Sequence, residues 1–229
     1  MNGRGGQDGD RGWTRRCIVA ALLLLGSLAA GAPMMAANLA NLPVEDRNDL
    51  GRIAELLNGI RSLQAEFAQY SDNGEQANGL FYLERPGRLR FEYAPPSPIL
   101  LVGTGRTLVF YDAQVDQVSY LPIGESPLAF LLADRFSFER DDVRIERIER
   151  RPGVLAVTVA SETSPNDGAV TMVFSDQPLQ FRQWHVRDAR GITTTVALSN
   201  VRTNLPLDRK LFQFVDPNPF RNQAAPSLP

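Results

Sequence analysis

The chain has 229 residues with 24 Lys and Arg against 26 Asp and Glu, a formal net charge of −2, and a single histidine and a single cysteine. A mildly acidic balance gives no electrostatic reason to bind nucleic acid or anionic lipid head groups. One histidine and one cysteine leave too few ligands for a zinc site built on several of either.

The amino-terminal stretch has the layout of an export signal. Arg4, Arg11, Arg15 and Arg16 outnumber Asp8 and Asp10, and the apolar, small-residue run Ile18 to Ala30 follows. A basic region ahead of a short hydrophobic one describes a cleavable signal peptide, and 13 residues fall short of the roughly 20 that span a bilayer. Small residues between Ala29 and Ala40 offer the cut. Pro33 obstructs cleavage after Ala32, so a site after Ala36 or Ala37 is expected, and residues 1–37 are read as removed. Arg15-Arg16 hints at a twin-arginine signal, but Cys17-Ile18-Val19 fits that motif poorly and the ordinary secretory route is expected. Cys17 precedes the apolar run and so cannot be a lipid-bearing cysteine. Removing four Arg and two acidic residues from the totals leaves 20 basic against 24 acidic and no cysteine. Cohesion then has to come from a core, for which the remaining length suits one domain, residues 38–217, with a tail at 218–229.

The first regular element is a helix. Leu50, Ile53, Leu56, Leu57 and Ile60 recur at three- and four-residue spacing, with Asp49, Arg52 and Glu55 between them, which predicts one apolar stripe from Val44–Asp46 to about Gly59. From Leu63 the period changes to two, with Leu63, Ala65 and Phe67 alternating against polar or small residues. Ser71-Asp72-Asn73-Gly74 reads as a turn. Short antiparallel strands are predicted next, at 77–84, 89–93, 99–104, 107–111 and 117–121, then 143–149, 154–161, 169–175, 181–187, 193–201 and 212–215. Arg85-Pro86-Gly87 stops the first of these, because proline cannot donate to a ladder and glycine suits a tight turn. Between the two groups of strands, Ser126 to Asp134 predicts a short helix, with serine as cap, Pro127 in the first turn and an apolar run behind. That helix is either a piece of core or a movable cover over a hollow.

Two helices cannot cover ten or eleven strands. The expected fold is mainly β with α: a single curved antiparallel sheet with helices on its concave side. Composition does not decide whether the hollow is filled.

Four blocks carry a resemblance covering about Leu50 to Pro217. The first is Leu83-Glu84-Arg85-Pro86 followed by Arg90-Phe91-Glu92-Tyr93-Ala94-Pro95-Pro96, and the second is Thr104 to Asp112 followed by Gln117-Val118. The third is Pro127-Leu128-Ala129-Phe130-Leu131-Leu132, and the fourth runs from Val186-Arg187-Asp188 through Gly191, Thr193 to Thr195, Asn200 and Asn204 to Phe212-Gln213-Phe214. In this order they resemble the outer-membrane lipoprotein carrier (LolA) family. Phe91 stands where that family commonly has tryptophan, the Gly103-Thr104-Gly105 turn lacks the family's Asp or Asn, and the tail has no clear counterpart.

The resemblance implies an incomplete (half) β-barrel closed by the amino-terminal helix and short lid helices. It also implies a non-enzymatic periplasmic chaperone that takes the acyl chains of lipoproteins released by an inner-membrane ABC transporter and hands them to an outer-membrane receptor. It implies no cofactor, no nucleic-acid partner and a monomer. Arg85 is implied as the latch of the lid; without the resemblance it reads as a solvated turn arginine. A guanidinium suits a latch because its fork of donors can hold several carbonyls without a carboxylate partner. The acyl-chain candidates are Phe81, Leu89, Phe91, Tyr93, Leu101, Leu108, Phe110, Trp184 and Val186, with Leu128, Phe130, Leu131 and Leu132 of the lid. Each also fits an ordinary core position, and a one-residue slip would turn a strand's set outward.

Other readings were weighed on the same residues. A related lipid- or envelope-stress-sensing module would share the half-barrel but needs a further domain. A hydrolase would have to use His185, mid-strand between Trp184 and Val186 and without a nucleophile elbow. Asp112, Asp116, Asp141, Asp142 and Asp188 sit where turn aspartates bond local backbone, and read as such. No phosphate loop or dinucleotide glycine signature is present.

Overall fold

The computed structural model describes residues 39–163 and 168–218; the expected signal peptide and the tail beyond Asn218 lie outside them. After a single 3-10 turn at Leu39–Asn41 comes α1, Val44–Gly59. Eleven strands follow: β1 Ser62–Ser71, β2 Gln76–Glu84, β3 Arg88–Tyr93, β4 Ile99–Thr104, β5 Thr107–Asp112, β6 Gln117–Pro122, β7 Val143–Arg151, β8 Val154–Ser161, β9 Gly168–Asp176, β10 Leu179–Asp188 and β11 Thr193–Thr203. Between β6 and β7 lie a 3-10 turn at Ile123–Glu125 and α2, Ala129–Leu132.

The strands form one antiparallel sheet in the order β6-β5-β4-β3-β2-β1-β11-β10-β9-β8-β7. Each half is a run of hairpins, and the two halves meet where β1 pairs with β11, Phe67 against Leu198 and Tyr70 against Thr195. The sheet is not closed: β6 and β7 are its edges, and the segment carrying α2 is the covalent link between them. This is the open half-barrel expected.

Register places the apolar face. Phe81 opposes Phe91, Phe91 opposes Leu101 and Leu101 opposes Phe110; in the other half Trp184 opposes Val196 and Met172, and Val186 opposes Val170. Phe81, Phe91, Trp184, Val196, Met172 and Val170 form one core with the stripe Leu50, Ile53 and Leu57 of α1; Leu101 and Val186 pack against it, and Phe110 is buried outside it. Its centre is aromatic, with Phe81 against Phe91 at 4.5 Å and Trp184 at 5.7 Å from Phe81, contacts that add to plain area burial.

Three local expectations differ from the fold. The helix expected over Ser126–Asp134 forms only at Ala129–Leu132, although Ser126 Oγ does accept from the Leu128 N–H, at 3.1 Å. It stops there because the Leu131 and Leu132 carbonyls, which a longer helix would use, accept instead from Arg85 and from the Gly87 N–H. The strand expected at Phe212–Val215 is replaced by a 3-10 turn at Arg209–Phe212, opened by Asp208, whose side chain accepts from the Lys210 N–H. Phe212 is buried there, Leu211 O accepts from Arg90, and Phe214 meets Tyr111 on the face opposite the core. Asp49, placed by periodicity beside the apolar stripe, is buried: it holds Arg52 of its own helix and Arg150 of β7, the latter at 2.7 Å.

Candidate functional site

The site lies where α2 and its flanking turns cross the concave face. Arg85 directly follows β2, before a cis peptide to Pro86, and is only 7 % exposed. Its Nε donates to the Leu131 carbonyl oxygen at 2.8 Å and its Nη1 to the Leu57 carbonyl oxygen at 2.7 Å. One guanidinium therefore joins the sheet, the last turn of α1 and the lid. Gly87, at φ +74°, adds its N–H to Leu132 O at 2.9 Å. A left-handed glycine is needed there, since a side chain would run into the carbonyl of Gly105.

Arg85 has no carboxylate within its grip. Burial draws its pKa down to about 10, the nearby charge of Arg61 acts in the same direction, and Asp134 opposes them. The charge is kept in place by carbonyl dipoles, a weaker restraint than an ion pair in the same setting. Arg61 and Asp134 pair outside it at 3.1 Å, both largely exposed.

Asn58 supplies a second fastening that the sequence reading missed. Its amide donates to Phe136 O at 3.0 Å, and its carbonyl accepts from the Phe136 N–H at 2.8 Å. The last turn of α1 is itself tied to the end of β11: Asn204 donates to Gly59 O and accepts from the Arg61 N–H, both at 2.9 Å. Only Asn204 of this pair stood in a sequence block; the partner of Asn58 is 78 residues away, and no local spacing reports it.

Beside the lid is a hollow of about 500 Å³. Phe130, Phe136 and Phe138 line it from the α2 segment and the chain after it, Val143, Val159, Val170 and Val186 from the sheet, and Leu121 from the edge strand β6. Glu125, Arg140, Asp142 and Arg187 also line it. The hollow is half open, and its lining mixes apolar side chains with polar and charged ones. Of the sequence candidates, Phe130 and Val186 line this space. Phe81, Leu89, Phe91, Leu108, Leu131, Leu132 and Trp184 lie in the core cluster; Tyr93, Leu101 and Leu128 pack against it half-buried; Phe110 is buried outside it. Burial also raises the pKa of Tyr93, whose hydroxyl donates to Gln69 Oε1 at 3.0 Å.

His185, Asp112, Asp142 and Asp188 are occupied in local structure. His185 is half-buried on the opposite face, its ring bonded to Thr195 at 2.7 Å and to Gln183 at 3.2 Å. Asp112 accepts from the Gln114 N–H, Asp188 from the N–H groups of Arg190 and Ile192, and Asp142 pairs with Arg140. Among the described residues no group of three or more His, Cys, Asp or Glu is placed to hold a metal ion.

Residues 58–215, from the Asn58 clamp to just past the Phe214 contact, match the sequence profile of the outer membrane lipoprotein carrier protein LolA. The chain belongs to the LolA family. An outer-membrane lipoprotein carrier protein of Methylococcus capsulatus is 30% identical over 174 residues, covering 72% of this chain and 83% of that one. One of Chromobacterium violaceum is 29% identical over 206 residues, covering 86% and 93%. A solved LolA superfamily protein of Nitrosomonas europaea superposes with a TM-score of 0.42 at 14% identity, over 72% of this chain and 97% of that one. Arg85 and the α2 segment, the parts of the site that resembled LolA in sequence, thus fall inside the stretch that matches the family.

Proposed function

We propose that this protein is a periplasmic lipoprotein carrier without enzymatic activity. It takes the acyl chains of lipoproteins from an inner-membrane lipoprotein-releasing ABC transporter, shields them, and yields them to an outer-membrane receptor. The observation that carries this reading is the half-open hollow of about 500 Å³, lined by valines and phenylalanines as well as polar groups, beside a cover fastened by few polar contacts. A chain of about 16 carbons gains on the order of 0.8 kcal/mol for each methylene removed from water, so it stays in membrane unless a protein surface replaces the lipid. The valines and phenylalanines around the hollow supply such a surface. The packed aromatic core next to Phe136 offers more apolar area to a ligand that displaces Phe130. On this reading the acyl-binding set extends from the hollow to Phe81, Phe91, Leu101 and Trp184, and Arg85 is the latch released when the cover lifts.

Family membership supports the cargo, and the layout of Arg4 to Ala30 supports export. Among the described residues no helix is long and apolar enough to cross a membrane. A single chain that holds its cargo alone acts as a monomer. The test is to incubate the purified protein with vesicles holding a triacylated lipoprotein and the cognate exporter, then examine the soluble fraction by native gel and mass spectrometry. A soluble one-to-one complex is the expected outcome; folded protein that leaves all the lipoprotein in the vesicles sinks the reading.

A further inference from the structure

Besides the exposed Arg61 contacts to the Asp134 carbonyl and carboxylate, the lid is fastened at two points of different kind. At Leu131 and Leu132 it is held through carbonyl oxygens alone, by Arg85 and Gly87. At Phe136 both main-chain groups are engaged by a single side chain, Asn58, in a closed pair of hydrogen bonds. The Phe136 ring is buried, lies edge-on to Phe138 at 4.8 Å and to Phe130 at 6.3 Å, and lines the hollow. Buried main-chain donors and acceptors must be satisfied, and here one amide does so for two of them.

We propose that Asn58 is a positioning residue, the pivot about which the lid turns. Leu128 to Leu132 swing away when Arg85 releases them, while Phe136 stays fixed to the end of α1. That post does not travel with the lid, because Asn204 binds Gly59 and Arg61 to the end of β11. The swing thus changes the hollow's lining at Phe130 and keeps it at Phe136 and Phe138. The assignment rests on the carrier reading for what enters the hollow, but the pivot itself does not depend on the ligand.

Amide hydrogen exchange on the purified protein, read residue by residue, tests it alongside release of dansyl-labelled undecanoic acid. In Asn58→Ala, exchange at the Phe136 amide rises about tenfold while amides of β1 and β10 keep their rates, and the probe leaves about threefold faster. Asn58→Asp keeps the acceptor for the Phe136 N–H and restores most of that protection. Arg85→Leu speeds exchange at the Gly87 amide and leaves Phe136 protected. The pivot is overturned if the Phe136 amide is unaffected by Asn58→Ala, if the acceleration is shared across the sheet, or if the Asn58 and Arg85 variants give the same pattern. Should alanine prevent folding, Asn58→Ser carries the same comparison. Protein that takes up no probe in any form counts against the carrier reading, and the exchange pattern still decides the pivot.

Discussion

Arg85 is a buried charge that donates to two carbonyl oxygens, one on α1 and one on the lid. Hydrogen bonds from a charged donor contribute about 1.5–3 kcal/mol net, and desolvation of the guanidinium offsets part of that, so the closed state is held but not locked. Arg85→Leu is therefore expected to take up a lipoprotein normally and to hand it on poorly, because the closed state no longer competes with the ligand. Transfer between purified carrier and receptor measures this, and transfer at the normal rate sinks the latch. His185 bears on stability instead. Burial lowers its pKa below the usual 6.5, so the folded protein binds this proton less readily than the unfolded chain. Its contribution is complete above about pH 6.5 and is lost as pH falls through the lowered value. His185→Gln should flatten the decline of Tm across that acidic window relative to the parent, by thermal melts at stepped pH. The place of Arg85, between a strand and Pro86, was legible in the sequence, but its burial was not, since a turn arginine by itself reads as solvated. The roles of Asn58 and Asp49 were not legible either, since each sits beside the apolar stripe of α1 and takes its meaning from a partner far along the chain, Phe136 or Arg150.

At the scale of elements, β1 to β3 are coupled through a glycine. Gly79 pairs with Phe67 on one side and Tyr93 on the other, and the Phe67 ring occupies the space a side chain would take, 5.1 Å from the rings of both Phe91 and Tyr93. A Cβ at Gly79 would also meet the Glu92 carbonyl. Gly79→Ala should cost about 1–3 kcal/mol, read from the midpoint of urea unfolding, by forcing apart a packed row. Strands were readable from alternation and turn residues, and most ends agree to within a residue or two. The α2 segment was overread because Ser126, Pro127 and the apolar run do favour a helix; its length is set by Arg85 and Gly87, which claim its carbonyls from another part of the chain. Likewise Phe212–Val215 carries an apolar alternation, but Asp208 starts a 3-10 turn that lays Phe212 on the sheet's other face.

For the whole molecule, the open sheet followed from counting strands against helices, whereas the β1–β11 pairing that unites its halves is a contact between chain ends that no local pattern encodes. The hollow was likewise unreadable: periodicity tells which side chains face inward, not where their volumes fail to meet. It opens where the segment carrying α2 links the two edge strands, with Phe136 shared between its lining and the core. Val186→Trp should fill it from the sheet, lowering affinity for a fluorescent fatty acid about tenfold while Tm moves by no more than about 3 °C. Unchanged affinity in titration would place the ligand elsewhere.

The fastenings of the lid contain no acid or base that titrates under ordinary conditions. A guanidinium, a carboxamide and peptide carbonyls keep their protonation from about pH 5 to 9, and the exposed Arg61–Asp134 pair beside them is of the sort that contributes little. A compartment whose acidity drifts with the surroundings would leave such a clasp indifferent. On the carrier reading, the trigger for letting go is then contact, either an acyl tail pushing in or a docking surface pulling the cover away.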